Sequence, residues 1–500
     1  MEIQVIRQRL DEIDNEIIKL FKERMALSLE AAKYKEENNI PVLDAKREEV
    51  VLERVSFLAG ELGENVVNLY KSIFAESRSC QQKYLDEKNR LGLLGEGIAN
   101  SFSPLIHNEL KKCDYTLFDM CPEDALLFLQ SRKFKGLNVT IPYKKWILPF
   151  CTELSPRARE IGAVNTLKAL PHGGLFGDNT DCMGILYICQ SMSYSLKNKK
   201  VVILGTGGTA LTAEYVAKHE GACEIVKISR QGENNYENIS RHADADVVIN
   251  TTPVGMFPAC GDSPVDLKIF EKLSLVIDVI YNPLRTRLIQ DAKALKIPCC
   301  GGLKMLVAQA AYSSEIFFGE EMAKSEIERI ERKLLKGLAN IVLIGMPGAG
   351  KSTLGGLLAK RTGRSFVDTD VLVEEMAGKK IPLIFEEDGE NAFRLLEDKA
   401  IAEVSKRKGI IISVGGGAII NPANGGALRA NGKICYVKRA IAKLTTEGRP
   451  LSKDLDALEK IFKQREEKYV SLGDFSVKNS GNMYSVANDI LEGFYVHLCD

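Results

Sequence analysis

The chain has 500 residues, with 67 Lys plus Arg balanced by 67 Asp plus Glu. That length exceeds a single core and fits about three domains, and zero net charge lacks the basic footprint of a nucleic-acid binder. Twelve scattered cysteines form no CxxC pair, and five dispersed histidines form no HExxH, so a structural zinc site is not expected. The charged start "MEIQVIRQRLDEIDNEI" is not expected to act as a signal peptide, and no apolar run reaches membrane-spanning length. The expectation is a cytoplasmic multidomain protein acting on small molecules, with no nucleic-acid or membrane partner.

Residues 2 to 38 contain no Gly or Pro, and Ile3, Ile6, Leu10, Ile13, Ile17 and Leu20 recur at helical spacing. Such a helix runs ~55 Å, more than a small domain covers alone. "NNIPVLD" breaks it, and two more helical stretches follow over 44–60 and 64–88. Arg7, Arg24, Lys35, Asp44, Arg47, Glu48, Ser77 and Gln81 stud these helices. Taken singly, charges on helices are ordinarily solvated faces; as a set, their spacing resembles all-helical chorismate mutase over 1–88. The resemblance implies that Arg24 and Arg7 take the two carboxylates of chorismate, with Ser77 and Arg47 assisting. Lys35 and Gln81 would face the ether oxygen, and Glu48 and Asp44 would receive the ring hydroxyl. Arg24 and Lys35 are 11 positions apart and share a helix face. Arg7 and Arg24 are 17 apart, which is ~25 Å along a helix and about 100° around it. Arg7 is therefore expected to enter from a second subunit, which predicts a homodimer through these helices.

From "NRLGLLGEG" onward, short apolar strands alternate with helices, an α/β texture. "VVILGTGGTALTA" places Gly205, Gly207, Gly208 and Ala210 between a strand and a helix, a dinucleotide pattern that is weak alone. The next strand ends in Ser229 and Arg230 rather than an acidic residue, which favours the 2′-phosphate of NADP(H). With "NSFSPLIHN", "KGLNVTIPYKK", "GAVNTL", "GDNTDCMG", "INTTPVGM", "DVIYNPLRT" and "GGLKMLVAQA", the stretch from about 90 to 320 resembles shikimate dehydrogenase. The resemblance implies that Ser101 and Ser103 hold the substrate carboxylate and that Thr140, Asn165 and Gln309 bond its hydroxyls. Lys144 and Asp181 would form the catalytic pair, while Thr252, Gly302 and Met305 would join the glycine turn around the cofactor. Two departures stand out: Cys182 follows the aspartate where glycine is usual, and Ser229-Arg230-Gln231 replaces Asn-Arg-Thr.

"EEMAKSEIERIERKLLKG" reads as a connecting helix over about 321–338, and the strand Ile341–Ile344 opens a last unit running to 500. There Gly345-x-x-Gly348-x-Gly350-Lys351-Ser352-Thr353 lies between a strand and a helix, the context a P-loop requires. Its backbone N–H groups suit phosphate oxygens, Lys351 the β/γ-phosphates, and Ser352 a Mg²⁺ ion. Together with "FVDTD", "GENAFRLLE", "SVGGGA", "GRPLS" and "QREEKY", it resembles shikimate kinase. The resemblance implies that Asp368 helps position Mg²⁺ and that Asp370 holds the acceptor hydroxyl as base. Arg394 and Arg465 would clamp the acceptor's carboxylate, with Glu397 and Gly416 beside the ring and Arg449 on a lid over the phosphoryl group. Leu444 stands where a second lid arginine is usual, and Glu467 where proline often follows.

The expected fold is thus an all-α N-terminal domain over 1–88, then an α/β dehydrogenase over 89–320 and a P-loop α/β kinase over 339–500. Within the dehydrogenase, a substrate subdomain is expected over about 89–190 together with the C-terminal helix, and a Rossmann NADP subdomain over about 191–300. The expected function is threefold, with NADP(H), ATP and Mg²⁺ as cofactors: chorismate rearrangement, NADPH-dependent reduction of 3-dehydroshikimate to shikimate, and ATP-dependent phosphorylation of shikimate. The alternative from a different class keeps the two later enzymes and makes the helices a non-catalytic dimerising or effector-sensing module.

Overall fold

The computed structural model describes residues 2–38, 40–111, 113–171, 173–444 and 455–499. They fall into two compact units. The first comprises 1–104, 113–153 and 166–177; the second comprises 105–112, 154–165 and 178–500.

The first unit begins with three helices, α1 (Ile3–Glu37), α2 (Ala45–Ala59) and α3 (Gly63–Lys88). Pro41 follows the end of α1 and cannot continue it. Asp44 starts α2 by accepting the Arg47 N–H at 3.0 Å, and Gly60, at φ 55°, turns the chain out of it. Val51, Val55 and Phe74 form the small buried cluster between α2 and α3. The first half of α1 touches none of this: every residue from Glu2 to Glu23 is exposed, with Ile3 at 61% and Ile17 at 57%.

Beyond α3 come β1 (Leu91–Gly95), β2 (Tyr115–Asp119), β3 (Gly136–Val139), β4 (Glu153–Leu154), β5 (Thr166–Ala169) and β6 (Leu175–Asp178), in the order β2-β1-β3-β5-β6-β4. β1 is parallel to both β2 and β3, whereas β5 runs antiparallel to β3. All residues of β1 and β3 are buried, as expected of strands covered on both faces.

The second unit holds two five-stranded parallel sheets. β7 (Lys200–Leu204), β8 (Glu224–Ile228), β9 (Val247–Asn250), β10 (Leu275–Asp278) and β11 (Cys299–Cys300) lie in the order β11-β10-β9-β7-β8. β12 (Asn340–Ile344), β13 (Phe366–Asp368), β14 (Ile411–Ser413), β15 (Gly432–Lys438) and β16 (Phe475–Lys478) lie in the order β13-β14-β12-β15-β16. In each sheet the order reverses at the strand that feeds a glycine turn, β7 or β12, where open α/β sheets bind ligands. Continuous Val, Ile and Leu runs such as Val201–Leu204 and Ile341–Ile344 are fully buried. The connecting helix is Lys324–Leu338, three residues later than its expected start, and it buries Ile327, Ile330 and Leu334.

Gly302 opens the helix Gly302–Phe318, where a Cβ would lie 2.1 Å from the Val279 carbonyl oxygen and 2.4 Å from its carbon. Both obstacles are backbone and cannot rotate aside. Gly302→Ala is expected to destabilise the chain by ~1–3 kcal/mol, the usual cost of overpacking, seen as a lower urea midpoint. An unchanged midpoint would refute the packing constraint.

Candidate active sites

Between β12 and the helix Lys351–Thr362, Gly345 and Gly350 adopt φ 147° and 92°. A Cβ on Gly345 would meet the Val437 carbonyl oxygen at 2.5 Å, and one on Gly350 would meet Asn479 Nδ2 at 2.7 Å. Conformation and space both demand glycine. Gly348, at φ 80°, has its carbonyl bonded by Arg439 Nη1 at 3.2 Å. Lys351 is buried and donates to the Gly345 and Met346 carbonyls at 3.0 and 3.1 Å. Ser352 Oγ donates to Asp368 Oδ2 at 2.5 Å, and Thr353 is exposed beside it. A backbone cradle, a lysine and a hydroxyl–carboxylate pair fit a nucleoside triphosphate with Mg²⁺, which keeps waters and phosphates as its other ligands.

This turn opens into a cavity of about 580 Å³ that also reaches Asp370, Arg394, Glu397, Gly416 and Arg465. The turn Gly415–Gly417 organises that end. Arg465 Nη1 and the Tyr469 hydroxyl both donate to the Gly416 carbonyl, at 3.0 and 2.6 Å. A Cβ on Gly417 would sit 2.3 Å from Arg394 Nη1, and one on Gly415 would sit 2.6 Å from Asp370 Oδ1. Both arginines and the aspartate therefore border a single glycine turn. Arg465 Nε is buried with no protein acceptor, which leaves a donor for an acidic ligand. Arg394 is steered by Glu397 at 2.7 Å and Glu390 at 3.0 Å. Leu444, at the departed lid position, packs into the core, and Arg449 lies outside the described residues. Arg439, Tyr469 and Asn479 escaped the sequence reading; Tyr469, one helical turn after Arg465, was findable by spacing.

In the other parallel sheet, Gly205 has φ 110°, and its Cβ would lie 2.8 Å from Thr251 Oγ1. Gly207 and Gly208 begin the helix Gly208–His219, whose N-terminus faces the turn. Ser229 Oγ bonds the Gln231 carbonyl, and Arg230 is exposed beside it. This open glycine turn with a neighbouring exposed guanidinium fits a phosphorylated dinucleotide. Thr252 Oγ1 donates to Asn250 Oδ1 at 2.8 Å, and Asn250 Nδ2 donates to Asp278 at 3.0 Å. Burial lifts the Asp278 carboxyl to about 6, against the hydrogen bonds it accepts. Met305 is buried against Gly184.

Also in the second unit, Asn165 Nδ2 reaches Asp181 Oδ1 at 2.9 Å, Thr180 Oγ1 at 3.1 Å and Gln309 Oε1 at 3.3 Å. Three predicted residues thus converge, and Thr180 is the partner that sequence reasoning missed. Cys182, in the usual glycine position, is accommodated: it is buried, its Sγ donates to the Asn179 carbonyl at 3.0 Å, and burial pushes its thiol up to about 12. In the first unit, Ser101 Oγ donates to Ser103 Oγ at 3.1 Å, Thr140 packs at Gly95, and Lys144 lies half-buried on the turn Tyr143–Trp146.

Among the helices, the Arg24 guanidinium lies 5.9 and 5.6 Å from the Tyr70 and Phe74 ring centres, with Nε buried and unpaired. Ser77 Oγ meets Ser28 Oγ at 2.7 Å and receives Gln81 Nε2 at 3.2 Å, while Gln81 Oε1 is buried without a donor. Lys35 Nζ donates to the Val42 carbonyl at 2.5 Å. Arg24 and Gln81 thus each present one unsatisfied polar atom on α1 and α3, while Ser77 is bonded to both Ser28 and Gln81. Glu48 is gripped by Arg78 Nη1 at 2.5 and 2.6 Å, a partner absent from the sequence reading. Asp44 caps α2, Arg47 is exposed, and Arg7 lies on the exposed half of α1.

Two nucleotide-type turns on parallel sheets, each with a polar cluster or pocket in the same unit, define a multidomain metabolic enzyme with an all-helical module in front. Family comparison is specific: residues 6–82 match chorismate mutase type II, 93–167 the shikimate dehydrogenase substrate binding domain, and 347–494 shikimate kinase. A shikimate dehydrogenase (NADP(+)) of Clostridium beijerinckii is 35% identical over 270 residues, covering 50% of this chain and 96% of that protein. Another from Caldanaerobacter subterraneus subsp. tengcongensis is 32% identical over 256 residues, 46% and 91% respectively. A chorismate mutase/shikimate 5-dehydrogenase fusion protein from Clostridium acetobutylicum, solved by crystallography, is 34% identical with a TM-score of 0.47, covering 49% of this chain and 97% of that one. The chain belongs to the shikimate dehydrogenase family, and it carries a chorismate mutase domain before and a shikimate kinase domain after the dehydrogenase.

Burial raises the Glu397 carboxyl above the ordinary glutamate value of 4.5, and the Arg394 hydrogen bond and charge pull it back. Arg394→Ala removes the lowering influence and leaves the burial, so the Glu397 midpoint is expected to move further up. Carboxyl ¹³C titration by NMR measures it; a fall would show that burial is not what raises it.

Proposed function

We propose that the chain is a trifunctional enzyme of aromatic biosynthesis, with mutase activity over 1–88, dehydrogenase over 89–320, a connecting helix over 321–338 and kinase over 339–500. The observation that carries the reading is the cavity in which the P-loop and the Gly415–Gly417 turn bring Lys351, Asp370, Arg394 and Arg465 to one space. NADPH supplies the hydride and ATP the phosphoryl group when bound.

In the kinase, Arg394 and Arg465 hold the carboxylate of shikimate, for which the orphaned Arg465 Nε is a matching donor. Asp370, exposed in the cavity, accepts the proton of the attacking hydroxyl. Lys351, Ser352 and Asp368 serve the triphosphate and Mg²⁺, and Arg449 the transferring group. In the dehydrogenase, the second unit offers Asn165, which bonds Asp181, and Gln309 as partners for substrate hydroxyls, and the first unit offers Ser101, Ser103 and Thr140 as groups that suit a carboxylate and a hydroxyl. Lys144 and Asp181 each have the chemistry to hold or deliver the proton that carbonyl reduction needs. In the mutase no proton moves; the protein folds a dicarboxylate into its reactive conformer and stabilises charge at the breaking ether bond. Arg24 holds a carboxylate, with Lys35 and Gln81 at the ether oxygen and Glu48, steadied by Arg78, at the ring hydroxyl.

The exposed apolar face of α1, from Ile3 to Leu20, supports a homodimer that brings Arg7 from the second subunit. Nothing in the described residues is a helix long and apolar enough to cross a membrane, and we infer a cytoplasmic enzyme.

A single coupled assay on the full chain tests the paired activities: with 3-dehydroshikimate, NADPH and ATP, NADPH is consumed and shikimate 3-phosphate accumulates. Failure to make the phosphorylated product would overturn the pairing. For the helices, Arg24→Ala is expected to lower chorismate consumption by about 10²-fold or more, the scale of losing one preorganised donor. Wild type without turnover leaves the non-catalytic module instead. Sedimentation should show a dimer, and a monomer with full mutase activity would rule out the shared site.

A further inference from the structure

The segment 281–286 of the dehydrogenase carries a contact that its own chemistry does not require. Leu284 leaves the dehydrogenase surface and packs against the hydrophobic core of the kinase. Its N–H bonds the buried Asn431 side chain at 3.0 Å, and the Arg285 N–H bonds the Ala430 carbonyl at 2.9 Å. The Arg285 guanidinium, largely buried, bonds the Gly432 carbonyl and lies 3.7 Å from Asp474. Asp474 in turn accepts the Ile434 N–H at 2.6 Å, so guanidinium and carboxylate together grip the first residues of β15. From the next helix, Gln290 Nε2 reaches the Gly426 carbonyl at 3.1 Å. Main-chain bonds, a buried cation and an apolar knob occur together here, which a loose tether between domains does not provide.

Each end of this junction leads to a nucleotide turn. On the kinase side, β15 pairs with β12 as far as Ile344↔Tyr436, the Val437 carbonyl lies against Gly345, and Arg439 holds the Gly348 carbonyl. On the dehydrogenase side, Thr286 Oγ1 donates to Asp278 at 2.6 Å, Asp278 accepts from Asn250, and Asn250 accepts from Thr252. These bonds, buried at Asp278 and part-buried at Thr252, run from the end of β9 to the docked loop.

We propose that segment 281–286 is an intramolecular docking surface whose partner is the N-terminal end of β15 in the same chain's kinase, and that through it dinucleotide binding and triphosphate binding stabilise one another. The inference rests on the NADP(H) and ATP assignments above. Its direction follows from ordering: a ligand that rigidifies one side of a shared interface lowers the ordering cost for a ligand on the other, and linkage makes the effect equal in both directions. Arg285 acts as a positioning residue, because it touches neither reacting centre.

Hydrogen exchange on the full chain, read by mass spectrometry, tests it. Saturating NADP⁺ is expected to slow exchange across 429–438 by about fivefold, the low end of ordinary coupling between sites. ADP with Mg²⁺ is expected to slow exchange across 278–286 comparably. Both effects should vanish in Arg285→Ala and shrink in Asp474→Asn, which keeps the side-chain volume and an acceptor for Ile434 should the first variant fold poorly. Protection at 205–210 without any at 429–438 overturns the docking proposal, as does equal protection in wild type and Asp474→Asn. Absence of protection at 205–210 sinks the NADP reading instead, and the ADP arm then decides the docking alone: an unprotected 278–286 rejects it.

Discussion

Anionic substrates impose a shared demand on this molecule: negative charge has to be held without filling the space that the rest of the ligand needs. Where a β-strand of a parallel sheet ends in a turn and a helix begins, backbone N–H groups supply that charge complement at no cost in side-chain volume. The chain uses this device after β7 and after β12, and each time the backbone closes down so far that a single Cβ would collide. The Val437 carbonyl stands at 2.5 Å from such an atom at Gly345, and Thr251 Oγ1 at 2.8 Å from one at Gly205. Glycine is therefore a packing requirement here as much as a conformational one. The acceptor end of the kinase repeats the logic at Gly415–Gly417, where the absent side chains make room for Asp370 and Arg394.

Side chains then discriminate what the backbone merely attracts. Guanidinium groups recur because a planar fork matches a carboxylate with two parallel bonds. The three forks, two in the kinase and one among the helices, differ in how they are restrained. Arg394 is aimed by Glu397 and Glu390, and Arg465 is anchored by one bond to the Gly416 carbonyl with another donor left over. Arg24 rests on the faces of Tyr70 and Phe74, which hold a cation without using its hydrogen-bond donors. Restraint of this kind lowers the ordering cost of binding, since fewer rotamers are lost when the ligand arrives.

The two α/β enzymes also share their architecture in a physical sense. The helix Lys324–Leu338 buries Ile327, Ile330 and Leu334, and Arg364 of the kinase bonds carbonyls at its end, including Ala339 at 2.6 Å. Lys304 of the dehydrogenase meets Glu331 of that helix at 3.3 Å. The connection is a packed element. By contrast, the first half of α1 finds nothing to cover its apolar side within the chain, and this is the clearest unsatisfied surface among the described residues.

Period, glycine spacing and charge order along the chain were enough to delimit the helices, to locate both nucleotide turns and to name most of the polar residues, because those features are local: a 3.6-residue repeat or a strand–turn–helix motif is written in consecutive positions. Asp44 shows the limit of that reading, since the carboxylate named there as a ring-hydroxyl partner also caps α2, a role that the motif did not reveal. Arg78 on Glu48, Tyr469 and Arg465 on a single carbonyl, and Thr180 beside Asn165 are pairings across turns or between distant segments, and no spacing rule encodes which side chain fills the space opposite another. Arg285 is the sharpest instance: in sequence it is one residue of a dehydrogenase motif, and it took the packing of two sheets side by side to turn it into a buried clasp on the kinase.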